Sequence, residues 1–168
     1  IADDRAYSIK RKFELKNQIK NYGELIIPIK LKQKFANYRG AIKKMAGGWA
    51  RLLYKTDSME KRVEKYNLLV NMNDLKVDKI RFNQRSAPRK VNGLFRYQKV
   101  SGKWAITESR SSFTMGELEY KETSIYRYKK FGDIWLVHQI DQVLKQDNQI
   151  FQSHRFKIFD VHTTFSGN

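Results

Sequence analysis

Cysteine is absent from the 168 residues. That excludes disulfides, thiolate metal sites and cysteine nucleophiles, and leaves the redox compartment open. Acidic residues are scarce: 17 Asp and Glu stand against 34 Lys and Arg, a net charge of +17. Such a surface attracts anionic partners, whether nucleic acid, anionic lipid headgroups or acidic proteins. No apolar run approaches the roughly 20 residues of a membrane-spanning helix. The longest candidate, Leu25 to Ile29, is strand-sized and interrupted by Pro28, so the chain reads as soluble or peripheral. It opens at Ile1, not Met, which reads as a processed or trimmed product whose signal peptide or lipid anchor would no longer be visible.

Catalytic signatures are also missing. The histidines are His138, His154 and His162. The last two could share a strand face with Asp160, but no His-Glu-x-x-His or other metal spacing occurs, so surface or internally satisfied histidines are expected and no metal or cofactor is implied. There is no Gly-x-Ser-x-Gly elbow, and Lys44 to Gly48 lacks the order of a phosphate-binding loop. Glu117, Glu119 and Glu122 are too common a type, at too uninformative a spacing, to argue for paired-carboxylate catalysis. The expectation is a protein that is not an enzyme.

The chain nevertheless has the material to fold. Hydrophobic residues make up 40% and aromatics 13% of it, more than a disordered chain carries, and the length fits a single domain over 1–168. Tyr7 to Ile19 fits a strand or a helix, and Leu25 to Lys32 reads as an edge strand because Pro28 cannot donate a ladder hydrogen bond. From Gln33 the period changes: Phe35, Tyr38, Ile42, Met45 and Trp49 repeat by three and four, which predicts a helix stopped by Gly47 and Gly48. A second helix is predicted from Asp57, with Glu60 completing a capping box and Met59, Val63, Tyr66 and Val70 on one face. Its later part, Leu68 to Val70, could instead be strand.

Beyond Asp74 the pattern is of strands: Val77 to Phe82, Gly93 to Val100, Trp104 to Ser109, Leu118 to Phe131, Asp133 to Lys145 and Gln149 to Val161. Ser101-Gly102-Lys103, Phe131-Gly132-Asp133 and Gln146-Asp147-Asn148 supply tight turns, so these strands run antiparallel. The predicted fold class is α+β: a large curved antiparallel sheet, half-barrel-like, with two or so helices covering its concave face. Alternation puts Phe95 and Tyr97 opposite Leu94, Arg96 and Gln98, and Tyr126 and Tyr128 opposite Arg127 and Lys129. One face is therefore aromatic and the other wet and basic. Asp133 to Ile140 departs from this pattern, with Trp135 and Val137 facing one way and Ile134, Leu136 and Ile140 the other.

The succession Gly93-Leu94-Phe95-Arg96-Tyr97, Gly102-Lys103-Trp104-Ala105-Ile106 and Tyr126 to Val137, then a long hairpin ending in Phe159-Asp160-Val161, resembles the outer-membrane lipoprotein-carrier superfamily (LolA/LppX-like) over the last 75 or so residues. That resemblance implies a half-barrel enclosing an apolar cavity for acyl chains, a lipid or acylated protein as partner, and a periplasmic or cell-envelope location. No position matches the arginine thought to hold the helix lid of such carriers. Alternation and periodicity supply the cavity candidates: Phe95, Tyr97, Trp104, Tyr126, Tyr128 and Trp135 on the sheet, opposed by Phe35, Tyr38, Ile42 and Met45. A monomer is expected, with an anionic membrane surface as a further partner. The competing readings are a basic domain binding single-stranded nucleic acid, through clusters at Lys10 to Lys12, Lys43-Lys44, Arg85 to Lys90 and Lys129-Lys130, and a structural envelope module filled by its own side chains.

Overall fold

A computed structural model describes residues 34–159 and 161, which are almost entirely β-strand. Nine strands follow one another: β1 (Arg39–Met45), β2 (Trp49–Lys55), β3 (Val63–Asn71), β4 (Lys76–Gln84), β5 (Lys90–Val100), β6 (Lys103–Met115), β7 (Leu118–Phe131), β8 (Ile134–Gln146) and β9 (Gln149–Lys157). They form one sheet in chain order, each strand antiparallel to the next. The edge strands β1 and β9 do not pair with each other, so the sheet stays open and half-barrel-like. The strands expected from Val77 onward are present, and β7 has the expected bounds. The expected strands over 7–19 and 25–32, and the pairing of His162 with Asp160, lie outside the described residues.

The α+β expectation is overturned. Among the described residues no α-helix crosses the sheet. The stretch read as the first helix is β1, a short 3-10 turn (Ala46–Gly48) and the start of β2. Gly47 and Gly48 take left-handed backbone, φ 71° and 75°, and form a hairpin tip where a helix stop was expected. Ile42 pairs with Leu52, and Met45 with Trp49. The stretch read as the second helix is a loop followed by β3. Asp57 caps no helix; its carboxylate pairs with Arg39 and Lys55. Tyr66, Leu68 and Val70 alternate inward, which is the strand reading of that segment. Helical spacing is a local signal, and here cross-strand pairing with β2 and β4 outweighs it.

Register assigns every side chain to a face. One cross-strand row runs Ile42, Leu52, Leu68, Ile80, Gly93, Ser111, Glu122, Leu144, Gln152. Rows parallel to it on the same face hold Ala50, Val70, Val91, Tyr120, Tyr126, Val137 and Ile140, which are buried; Ile140 is 1% exposed. This is the aromatic face, and the core lies along its centre. Gly93 is required there by close approach: a Cβ on it would meet Ile80 Cγ2 at 2.7 Å.

Bulges keep this face consistent. Between Arg127/Tyr128 and their partners the register slips by one residue, because Arg127 faces Gln139 and Tyr128 faces Val137, leaving His138 as the extra residue. Trp135, Val137 and Ile140 therefore all lie on the aromatic face. The expectation that Ile140 opposes Trp135 and Val137 is corrected by that one inserted residue. Comparable slips occur between β3 and β4, β5 and β6, and β8 and β9.

Candidate functional site

Rings fill the aromatic face in two groups. Toward β1 to β4, Phe35 stacks on Tyr54 at 4.3 Å and meets Tyr66 edge-on at 5.3 Å, and Tyr66 leads on to Phe82 at 5.9 Å. Toward β5 to β9, Phe95 lies beside Tyr97, and Phe113 stacks on Tyr120 at 5.3 Å. The tyrosine hydroxyls are used within the sheet. Tyr97 donates to the Val77 carbonyl at 2.7 Å and Tyr128 to the Ile106 carbonyl at 2.9 Å, and each acceptor adjoins a bulge in the preceding strand. A strand disrupted by an inserted residue is thus bridged by a side chain from a later strand. Tyr126 shares a 2.8 Å hydrogen bond with Ser109. Burial pushes the phenol groups of Tyr97, Tyr126 and Tyr128 up from their ordinary value, so they act as neutral donors.

A polar island interrupts the rings. Ser109, Ser124, Gln142 and His154 form one row, and Ser111 and Glu122 sit in the next. Desolvation raises the pKa of Glu122, while a hydrogen bond with Gln142 and the nearby His154 pull the other way. Ser109 shares its hydrogen bond with Tyr126, and Ser124 accepts one from Gln142. Among the described residues no group of three His, Asp or Glu could hold a metal ion.

The predicted cavity residues separate by place. Phe95, Tyr97, Tyr126 and Tyr128 share the aromatic face, with Trp104 and Trp135 at one end of it. Phe35 and Tyr38 do lie over this face, as a turn before β1; the Tyr38 hydroxyl donates to the Val63 carbonyl. Ile42 and Met45 do not oppose the sheet, because they belong to it: Ile42 is on the exposed edge of the aromatic face and Met45 on the other face. Apart from Met45 these residues lie along one face, and the depressions in the surface, one beside Tyr97, Thr107 and Tyr126, are open to solvent.

The opposite face is basic. At its regular positions β1 to β5 present Arg39, Lys43, Arg51, Lys55, Lys65, Lys79, Arg81, Lys90 and Arg96 and no carboxylate. Lys43 stands directly across from Arg51, and Lys55 from Lys65. From β6 onward carboxylates join the cations on this face. Glu108 pairs with Arg96 and Arg110, and Asp141 with Arg127 and Arg155. The Arg155 hydrogen bond, supported by Gln139 and Arg127, holds the Asp141 carboxyl down to about 2.

Sequence reasoning missed one pattern at the end of the sheet. Lys44 to Trp49, Lys99 to Trp104 and Lys130 to Trp135 repeat the same Lys-to-Trp spacing across three hairpins, and they hold all 3 tryptophans of the chain. In the second and third the two residues face each other across the strands. Searching the sequence for repeats at hairpin turns would have found it.

Compared with known protein families, with curated proteins and with solved structures, the chain matches none.

Proposed function

We propose that this chain is a noncatalytic binding protein of the cell envelope that holds the acyl chain of a lipid or of an acylated protein along its aromatic face. The observation that supports the reading most is segregation. Away from the rim, where Lys99 and Lys130 share the aromatic face with Trp104 and Trp135, most rings and the buried core occupy one face of the sheet, and the strand arginines and most lysines occupy the other. A single-stranded nucleic acid needs rings and cations within reach of the same nucleotide, to stack on its base and neutralise its phosphate. An acyl chain needs only the apolar face, with the polar island at Ser109, Glu122 and Gln142 available to a headgroup or ester.

Native mass spectrometry of the purified protein, paired with solvent extraction and lipid analysis, tests this directly. The expected outcome is an acyl-chain species in stoichiometric amount, or uptake of a fluorescent fatty acid by stripped protein. A ligand-free protein that takes up no fatty acid and binds single-stranded nucleic acid with steep salt dependence overturns the reading in favour of the nucleic-acid one.

A further inference from the structure

In a meander every second turn lies at the same end of the sheet. The turns after β1, β3, β5 and β7, at 46–48, 72–75, 101–102 and 132–133, therefore form one rim. All 3 tryptophans of the chain lie there, each within the first two residues of a returning strand. Trp104 is 46% and Trp135 42% exposed, and Leu75, at the tip of the β3–β4 turn, is 75% exposed. Met45, Met72 and Ile134 are exposed beside them.

Lysines are interleaved with these rings. Lys76 sits 3.8 Å and Lys99 5.4 Å from the Trp104 ring centre, and Lys130 stands opposite Trp135. Segments 43–51, 70–78, 98–105 and 128–136, which make up this rim, contain eight basic and three acidic residues, a net of +5. The corresponding segments at the other end, 55–64, 83–91, 113–121 and 145–151, contain eight basic and six acidic residues, a net of +2, and no tryptophan. That end also exposes Met59, Ile150 and Phe151, so exposed apolar groups alone do not distinguish the ends. The combination of indole rings with a larger excess of lysine does: Lys76 pairs with Asp74 at 2.7 Å and Lys130 with Asp133 at 3.6 Å, and the rim still keeps its net of +5.

We infer that the rim bearing Trp104, Trp135 and Leu75 docks end-on against an anionic bilayer, with the indoles in the headgroup layer and the lysines on acidic lipid headgroups. Trp rings concentrate at the membrane–water boundary because they join an apolar body to one N–H donor. Lysine stems lie along apolar surface while their ammonium groups reach acidic headgroups. Two weak signals acting together give stable peripheral attachment where neither suffices alone. A nucleic acid would use the lysines but leave Leu75, Met72 and Ile134 in water. This inference does not depend on what the aromatic face holds. End-on docking would point the open end of that face at the bilayer, so the two readings are compatible but separately testable.

The experiment is co-sedimentation of the whole protein with vesicles of phosphatidylcholine alone or with phosphatidylglycerol added, read together with intrinsic tryptophan fluorescence and quenching by lipids brominated along the acyl chain. The expected result is binding that requires phosphatidylglycerol, a blue shift, and quenching strongest for bromines nearest the headgroup. The double variant Trp104→Ser/Trp135→Ser and the variant Leu75→Ser should each partition at least about tenfold less, and Ile150→Ser, at the opposite end, should match the unmodified protein. Circular dichroism confirms that each variant is folded. The quenching of the unmodified protein supplies a test free of substitutions. Binding without blue shift or quenching, equal loss in Ile150→Ser, or no binding to phosphatidylglycerol vesicles at all overturns the proposal. So does binding to single-stranded nucleic acid that displaces the vesicles and is insensitive to the rim variants. Failure to find a bound acyl chain leaves this result untouched, and failure here leaves the acyl-chain reading untouched.

Discussion

Two carboxyl groups on this sheet are held in opposite ways, and their pH dependence should differ in sign. Asp141 lies on the basic face, where Arg155, Gln139 and Arg127 hold its folded pKa down to about 2. A lowered folded value means that its contribution is complete above the ordinary Asp value of about 4 and is lost as pH falls toward 2. Asp141→Asn should cost about 1 kcal/mol at pH 7, and thermal melts of variant and unmodified protein should converge across that window. Glu122 lies on the aromatic face, where desolvation raises its pKa. A raised folded value means that stability is complete below the ordinary Glu value and is lost as pH rises through the folded one. Glu122→Gln should therefore be neutral or stabilising at pH 7, with any gain disappearing in acid. A Glu122→Gln variant less stable than the parent at pH 7 would show that the carboxylate makes an interaction stronger than its burial cost.

At the scale of the strand, the inserted residue His138 decides which face β8 buries. Deleting it would remove the bulge and leave Val137 and Ile140 on one face, whereas inserting one further residue after Gln139 would turn Ile140 away from Trp135 and Val137, because a one-residue shift reverses every side chain beyond it. Loss of the Ile140 or Val137 contacts should cost about 3 kcal/mol or more, measured by urea titration. Gly93 makes a second prediction at this scale. Gly93→Ala forces a methyl group against Ile80 Cγ2, and a stiff β-branched neighbour yields little, so a loss of about 1–3 kcal/mol is expected. Ile80→Ala should recover part of that loss in the double variant, an interaction read by a double-mutant cycle; strictly additive costs would place the strain elsewhere.

These elements also show which parts of the chain its sequence reveals. The hairpins after β5 and β8 are legible because Ser101-Gly102 and Asp147-Asn148 are residues suited to positive φ, and all four adopt it. The alternation of Tyr126, Arg127, Tyr128 and Lys129 is legible because it, too, is local. The helices expected over 35–49 and from Asp57 are absent for a different reason: 35–49 combines a turn and strand segments whose apolar residues happen to recur by three and four. A bulge leaves no comparable signature, since nothing in the type of His138 marks it as the residue that the partner strand skips.

Charge dominates the behaviour of the whole molecule. On the basic face of the described sheet the pairing is uneven: in β1 and β2 Arg39 and Lys55 share Asp57, while further on Glu108 pairs with Arg96 and Arg110 and Asp141 with Arg127 and Arg155. Placing Lys55 across from Lys65 is unfavourable for the isolated sheet. Lys65→Glu should gain about 0.5 kcal/mol in low salt, with the gain shrinking as salt is added; Lys65 lies at the end of β3 away from the tryptophan rim, so the same variant should bind phosphatidylglycerol vesicles as the unmodified protein does. Equal binding by the Lys65→Glu variant would confine the electrostatic attraction to the rim.

By itself the sequence determined the charge sign, the absence of cysteine chemistry, the run of antiparallel strands after Asp74 and the division of rings from cations, because each follows from residue type or from a period of two along one strand. Tertiary structure decided that 39–45, 49–55 and 63–71 are sheet, where the register slips, and that Trp49, Trp104 and Trp135 all lie at one end of the sheet. Those outcomes depend on which strand pairs with which, and the energy that selects the pairing is spread over contacts between residues far apart in the chain.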